Sequence, residues 1–134
     1  CIAVKKIITN YNGDCQINTV KGKEEYSSIG EKITHKNVSN LTVNKINLKC
    51  ITLDDLVKKY KLIPGLIKID TEGAELKVLK GGFNTLINYK PKLIMELDDK
   101  MLKANDASKK IVLNYLKNFD YKIKFITNND ILCY

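Results

Sequence analysis

Four carboxylates lie in two short segments whose pattern could support chemistry. Asp70, Glu72 and Glu75 fall within six positions of LIKIDTEGAELKVLKGG (residues 66–82), directly after an apolar run, and Glu96 ends the apolar run KLIME. A carboxylate that closes a buried strand is costly to desolvate, so it is usually hydrogen-bonded or used. Carboxylates can also accept a proton or bind a cation. These four residues are therefore the candidates for a site.

Two predicted strands position the carboxylates. LIKI (66–69) is typical of a strand buried on both faces of a parallel sheet, and KLIMEL (92–97) repeats that pattern. Ligands bind beyond the carboxyl ends of such strands. If the two strands are neighbours, as a single helical connection favours, Asp70 and Glu96 face the same crevice.

The connection between these strands is predicted to be a helix that follows LIKI directly. Its buried face repeats at steps of three and four residues, with an interruption at Gly81–Gly82; the face consists of Leu76, Leu79, Phe83 and Leu86. Glu72 and Glu75 then fall in the first turn, on one side of the helix. Acidic residues there are also favoured by the helix dipole, so Glu75 has a purely structural alternative.

The remainder of the chain predicts one α/β domain over 1–134. Asn12-Gly13 indicates a hairpin between two N-terminal strands, and the polar stretch 21–44 indicates a loop or lid. A strand over 46–52 leads to a short helix capped by Thr52 or Asp54. A helix over about 107–119 precedes a C-terminal antiparallel hairpin. Alternating strands and helices favour a largely parallel sheet.

Composition excludes several classes. The formal charge is +8, but all 23 basic residues are lysines, scattered singly or in pairs, which disfavours nucleic-acid binding. No apolar run approaches the ~20 residues of a membrane span. The four cysteines form no C-x-x-C pair and are expected to be free thiols in a reducing, cytoplasmic compartment. Zinc is disfavoured, and His35 is expected to be a loop residue.

One longer pattern resembles a known family. Thr52-Leu53-Asp54, IKIDTEGAELKVLKGG and KPKLIMEL resemble the C-terminal half of FkbM-type methyltransferases, strongly from about Ile51 to Leu97. The resemblance implies a Rossmann-like methyltransferase sheet and transfer of a methyl group from S-adenosylmethionine to a hydroxyl of a small-molecule, sugar or lipid acceptor. Ser27 and Ser28 match the middle region of the family more loosely.

The chain departs from the family at its N-terminal side. The expected glycine-rich turn, which cradles the cofactor, is not found, because the seven glycines never form G-x-G. The chain, which opens at Cys1, is therefore interpreted as an excised, partial methyltransferase domain. By itself it is expected to bind S-adenosylmethionine weakly or not at all and to be inactive, and its cofactor-binding residues stay unassigned.

The resemblance and the chemistry together assign provisional roles. Asp70 is expected to orient or deprotonate the acceptor hydroxyl, and Glu72 and Glu96 complete a negative pocket that suits a sulfonium. The same carboxylates could instead hold a divalent cation. Acceptor recognition is assigned to Tyr26, Ser27, Ser28 and Glu75, although residues 21–44 could equally be a plain solvated loop.

Two expectations concern partners. In the related fold the 66–70 strand pairs with a strand that precedes this chain, so its edge is expected to be open. The isolated chain is then expected to recruit a second copy, to rearrange its N-terminal strands into the gap, or to be poorly soluble. The alternative to an enzyme is a non-catalytic α/β module whose sheet edge or lysine-rich surface binds a protein or an anionic partner.

Overall fold

The computed structural model describes residues 1–20, 28–29 and 43–134. Its first sheet contains β1 (Ile7–Thr9), β2 (Gly13–Val20), β3 (Ser28–Ile29) and β4 (Val43–Thr52), in the order β1-β4-β2-β3. Strand β1 runs parallel to β4, whereas β2 is antiparallel to both of its neighbours. The predicted loop over 21–44 therefore needs correction at two points, because Ser28–Ile29 and the start of β4 are strands. Its other residues, including Tyr26 and Ser27, lie outside the described part of the chain.

The predicted N-terminal hairpin is wrong. Strands β1 and β2 flank β4 on opposite sides, so that Cys50 is the register partner of both Ile7 and Gly13. The Asn12 side chain explains the wider path of the turn. It accepts a hydrogen bond from the Thr52 backbone N–H at 3.0 Å and donates one to Asp55, so it binds the chain beyond β4 rather than closing a tight turn.

The second sheet carries the candidate site. It contains β5 (Leu66–Ile69), β6 (Lys92–Glu96), β7 (Ile123–Phe125) and β8 (Asp130–Cys133), in the order β5-β6-β8-β7. Strands β5 and β6 are parallel neighbours, and the β7–β8 pair confirms the C-terminal antiparallel hairpin. The α/β class is confirmed as a mixed fold, with two small sheets in the part of the chain that the structure describes.

The prediction of one largely parallel sheet is wrong. Of the six strand pairings in the described residues, β1–β4 and β5–β6 are parallel and the other four are antiparallel. The physical reason is the position of the returning strands. Strand β8 lies between β6 and β7, and β2 lies between β4 and β3, so each of these two strands forms antiparallel pairs on both of its sides.

In the described residues five helices connect the strands: α1 (Leu53–Tyr60), α2 (Glu75–Gly81), α3 (Phe83–Tyr89), α4 (Asp99–Ala104) and α5 (Lys109–Lys117). Thr52 is the N-cap of α1, as predicted, because its side chain accepts from the Asp55 N–H. The interruption at Gly82 is also confirmed. The helix after β5 starts only at Glu75, so Glu72 is not in its first turn, and α4 was not predicted.

The main core lies between the second sheet and its helices. It consists of apolar residues that include Ile69, Leu76, Leu79, Leu86, Leu93, Met95, Val112, Leu116 and Ile131. Strand β5 is not buried on both faces, since Leu66 is 58% exposed and Lys68 is exposed. The cause is its position at the edge of the sheet, where only the side of Ile69 meets the core.

Candidate active site

The structure brings Asp70 and Glu96 to the same edge of the second sheet. Glu96 ends β6, and Asp70 follows Ile69 at the end of β5. The two strands are in parallel register with Ile69 opposite Met95, so the next residue on each strand is one of the two carboxylates. The sequence pattern therefore placed this pair correctly.

A small cavity lies between these strand ends. Its volume is about 20 Å³, which is room for about one water molecule. Its lining is dominated by carboxylates and consists of Asp70, Glu72, Gly73, Glu75, Glu96, Asp98 and Met101. All four carboxylates that the sequence singled out are thus in one place, together with Asp98, which was not predicted.

Asp70 is paired with a lysine of the preceding strand, β5. The Lys68 ammonium lies 2.8 Å from Asp70 Oδ2, and this hydrogen bond and charge raise the pKa of Lys68. Both side chains remain largely exposed, so the pair is worth little free energy of folding. The main effect of the Lys68–Asp70 pair is geometric, because the lysine holds one oxygen of Asp70 in place and partly offsets the negative charge of Asp70.

Glu96 lies in a more negative environment. Burial raises its pKa above the ordinary value of 4.5, and the charges of Asp70, Asp130, Glu72 and Asp98 raise it further. Asp130 is directly opposite Glu96 in the β6–β8 register. The antiparallel return of β8, which supplies Asp130, could not be read from the local spacing of acidic residues.

Glu75 is the most buried of the four carboxylates, with 2% of its surface exposed. Its Oε1 accepts three hydrogen bonds, from the Thr71 N–H at 3.0 Å, the Thr71 hydroxyl at 2.9 Å and the Gly73 N–H at 3.1 Å. Its Oε2 is buried and accepts no hydrogen bond from any described residue. Glu75 therefore organises the loop that separates β5 from α2.

That loop follows a path that ordinary residues rarely adopt. Glu72 has φ 51° and Gly73 has φ 98°. A Cβ atom on Gly73 would lie 2.2 Å from the Met101 carbonyl oxygen, so the loop is closely packed against α4. Glycine at this position is thus required by both conformation and space.

No metal centre is apparent at the site. Among residues 1–20, 28–29 and 43–134, no group of three or more His, Cys, Asp or Glu side chains is arranged to hold a metal ion. The divalent-cation alternative therefore has no ligand set in this part of the chain.

The cysteines carry free thiols, and Cys15, Cys50 and Cys133 are buried.

The acceptor-recognition residues are only partly placed. Tyr26 and Ser27 lie outside the described residues, and the backbone of Ser28 pairs with Asn18 in the first sheet. Glu75, the fourth residue assigned to the acceptor, is one of the residues that line the carboxylate cavity. Their assignment to the acceptor stays a prediction.

A second, larger cleft lies on the first sheet beside α1. Its volume is about 680 Å³, and its charged lining residues are Lys6, Lys49, Asp55, Lys58 and Lys59. Asp55, the one carboxylate among the described lining residues, accepts hydrogen bonds from Asn12 and Thr52, which lower its pKa. The cleft is therefore positively charged, in contrast to the carboxylate cavity.

Comparison with known proteins places this geometry in a family. The family model described as the methyltransferase FkbM domain matches residues 3–123. The chain belongs to the FkbM methyltransferase family. The resemblance seen in the sequence is thereby confirmed, and it extends over nearly the whole chain.

A solved structure agrees with the fold. Methyltransferase FkbM from Methylobacillus flagellatus KT is similar with a TM-score of 0.51 and 24% identity, over 66% of this chain and 24% of that chain. The FkbM chain described here thus spans about a quarter of that protein. A comparison with curated proteins gives no match. In the described part of the chain, none of the helices has the length and apolar character of a membrane span.

Proposed function

We propose that the protein that contains this chain transfers a methyl group from S-adenosylmethionine to a hydroxyl oxygen of a small-molecule, sugar or lipid acceptor. The observation that supports this proposal is the meeting of Asp70 and Glu96 at the carboxyl edge of β5 and β6, in a chain of a methyltransferase family. Methyl transfer to a hydroxyl needs a group that aligns the oxygen and a group that takes its proton.

Asp70 and Glu96 have different surroundings, and each suits one of these two tasks. Glu96 is suited to accept the proton, because burial and then the surrounding negative charges raise its pKa and so strengthen it as a base. Asp70 is better suited to orient the hydroxyl, because Lys68 fixes one of its oxygens and leaves the other to accept a hydrogen bond. Glu72 adds negative charge to the same cavity.

The described residues fit the reacting end of S-adenosylmethionine rather than the whole molecule. Several carboxylates at one cavity favour a nearby positive sulfonium, which supplies the activated methyl carbon when the cofactor is bound. A volume of about 20 Å³ cannot hold adenosine or methionine. We therefore assign this chain the acceptor side of the reaction and expect it, isolated, to bind S-adenosylmethionine weakly or not at all.

The proposal is tested by incubating the whole protein with S-adenosylmethionine and a panel of sugars, lipid alcohols and phenols. Matched amines and thiols serve as controls for the acceptor atom. Mass spectrometry should detect S-adenosylhomocysteine and a product one methyl group heavier with at least one hydroxyl compound. Formation of S-adenosylhomocysteine only with the amines or thiols would contradict transfer to oxygen.

The lysine-lined cleft supports a second candidate, a binding module for an anionic ligand. A concave surface of one sign of charge concentrates counter-ions. The direct test is a titration of the chain with pyrophosphate, followed by the NMR signals of Lys6, Lys58 and Lys59. Saturable shifts at physiological ionic strength, without any methyl transfer by the whole protein, would favour this second candidate.

A further inference from the structure

The loop over residues 70–74 carries two of the site carboxylates and is hydrogen-bonded to the side chain of Glu75. Asp70 begins this loop, Glu72 lies within it, and Glu75 follows it at the start of α2. We infer that Glu75 is a positioning residue, which fixes this loop through Oε1 so that Asp70 and Glu72 stay beside Glu96. Its meaning for catalysis depends on the proposed function, but the positioning itself does not.

The backbone of the loop requires an external restraint. A non-glycine residue at φ 51°, such as Glu72, is strained and persists only when its surroundings enforce the conformation. The neighbouring peptide N–H groups of Thr71 and Gly73 both point to one oxygen of Glu75. Because this oxygen is buried, removing it would leave the two peptide N–H groups without their acceptor, which is costly.

The two oxygens of Glu75 have different surroundings. Oε1 receives all three hydrogen bonds from the loop, whereas Oε2 receives none from the described residues. Glutamine at this position can therefore keep the three bonds with its carbonyl oxygen, and its NH₂ group replaces an oxygen that holds no loop contact. Methionine is similar in length but accepts none of the three. The two substitutions thus separate the positioning contact from the size of the side chain.

The test compares Glu75→Gln and Glu75→Met in the full chain by amide hydrogen exchange. In Glu75→Met, protection of the Thr71 and Gly73 amides should fall by about tenfold, the factor expected for one lost hydrogen bond. In Glu75→Gln it should change much less. The amide of Leu79, within α2, reports in the same experiment that the chain is folded.

A second readout separates positioning from simple structural support. The carboxyl carbon of Glu96 is followed by NMR as a function of pH. Release of the loop moves the Glu72 charge away, so the pKa of Glu96 should shift downward in Glu75→Met and stay unchanged in Glu75→Gln. An unchanged Glu96 titration in Glu75→Met, or equal protection of Thr71 and Gly73 in both variants, would overturn the inference.

Two further variants complete the design. Asp54→Ala removes a carboxylate that accepts from the Asn84 and Thr85 N–H groups, so it should expose those two amides and leave the loop protected.

If Glu75→Met also loses protection at Leu79, Thr71→Val tests whether the contact with Glu75 positions the loop. It deletes one donor to Oε1 and should weaken protection at Gly73 with Leu79 unchanged; full protection at Gly73 would then contradict the inference.

Discussion

Single carboxylates at this site experience very different surroundings although they lie around one small cavity. Asp70 has a lysine partner, Glu75 has three donors on one oxygen, and Glu96 is surrounded by like charges. The local sequence predicted that Asp70 and Glu96 end two strands, which a single helical connection favours as neighbours. It could not show the raised pKa of Glu96, because Asp130 arrives from a distant antiparallel strand and Asp98 from the turn before α4.

The raised pKa of Glu96 predicts a dependence of stability on pH. Between its ordinary value of 4.5 and its higher folded value, the folded chain binds more protons than the unfolded chain at this residue. Stability from this group therefore falls as the pH rises through that window. Glu96→Gln should raise the free energy of unfolding at pH 7 by up to about 1 kcal/mol, since exposed charges are screened, with little change at pH 4.

The measurement is urea unfolding at both pH values, with Asp120→Asn as the matched control. Asp120 is exposed and does not act on Glu96, and asparagine tolerates its φ of 56°. The two variants have the same net charge, so a general charge effect would appear in both. Equal stabilisation by both variants at pH 7 would refute the role of the local carboxylates.

The strands and helices around the carboxylate cavity were only partly predictable from the spacing of apolar residues. The periodic apolar residues predicted β5, β6 and the break between α2 and α3. They did not predict that α2 begins only at Glu75. Apolar spacing carries no signal for the left-handed conformation of Glu72 or for the hydrogen bonds from Thr71 and Gly73 to the Glu75 side chain. Helix α4 was missed because it is short and only Leu102 in it is buried.

The contact between the site loop and α4 predicts a severe effect of Gly73→Ala. The added Cβ would lie 2.2 Å from the Met101 carbonyl oxygen, at a φ of 98° that alanine disfavours. A loss of about 3 kcal/mol or more in unfolding free energy is expected, since overpacking and backbone strain add. Thermal and urea unfolding measure it.

Gly65→Ala is the control for that substitution. A Cβ on Gly65 would meet no atom within 4 Å, and its φ lies outside the left-handed region. It should leave stability unchanged or raise it by up to about 1 kcal/mol through the unfolded state. If both alanine variants were equally stable, the close packing of the loop against α4 would be disproved.

Helices α1 and α3 are joined by a long-range cap. Asp54, in the first turn of α1, accepts hydrogen bonds from the Asn84 and Thr85 N–H groups at the start of α3. The N-cap residue of α3, Gly82, has no side chain to do so. Sequence spacing suggested Asp54 as a cap of α1, and only the fold shows that it serves a helix thirty positions further along.

Loss of this cap should destabilise the chain. Asp54→Ala removes four hydrogen bonds to one carboxylate, two of them from the buried Thr85, and should cost about 2–3 kcal/mol. Asp54→Asn keeps one acceptor oxygen and should cost less. Urea unfolding that ranks the two variants in the opposite order would argue against the cap.

The whole molecule presents an edge at β5, since no described strand pairs with its outer side. Apolar side chains lie on or just before this edge, including Ile63 at 84% and Leu66 at 58% exposed. Unpaired backbone groups beside apolar side chains favour association with another chain. We therefore propose, as the sequence suggested, that isolated copies of this chain pair through β5.

Light scattering tests this proposal against the chain mass of 15.2 kDa. The wild-type chain should show about twice this mass or higher species at micromolar concentration. The double variant Ile63→Lys/Leu66→Lys should shift the distribution to the monomer, because lysines at an edge oppose pairing. The substitution Ile126→Lys, at an exposed apolar residue of the β7–β8 turn, is the control. A monomeric wild-type chain would exclude the pairing.

The most direct measurement of the proposed chemistry is a double-mutant cycle on methyl transfer by the whole protein. It compares Asp70→Asn, Glu96→Gln and the double variant, with Asp120→Asn as reference. Each single substitution should lower kcat by about 10²-fold or more, and the double variant should lose far less than the product of the two effects, because both residues act on one hydroxyl. Undiminished rates in the single variants, or losses that simply multiply, would contradict a shared site at the ends of β5 and β6.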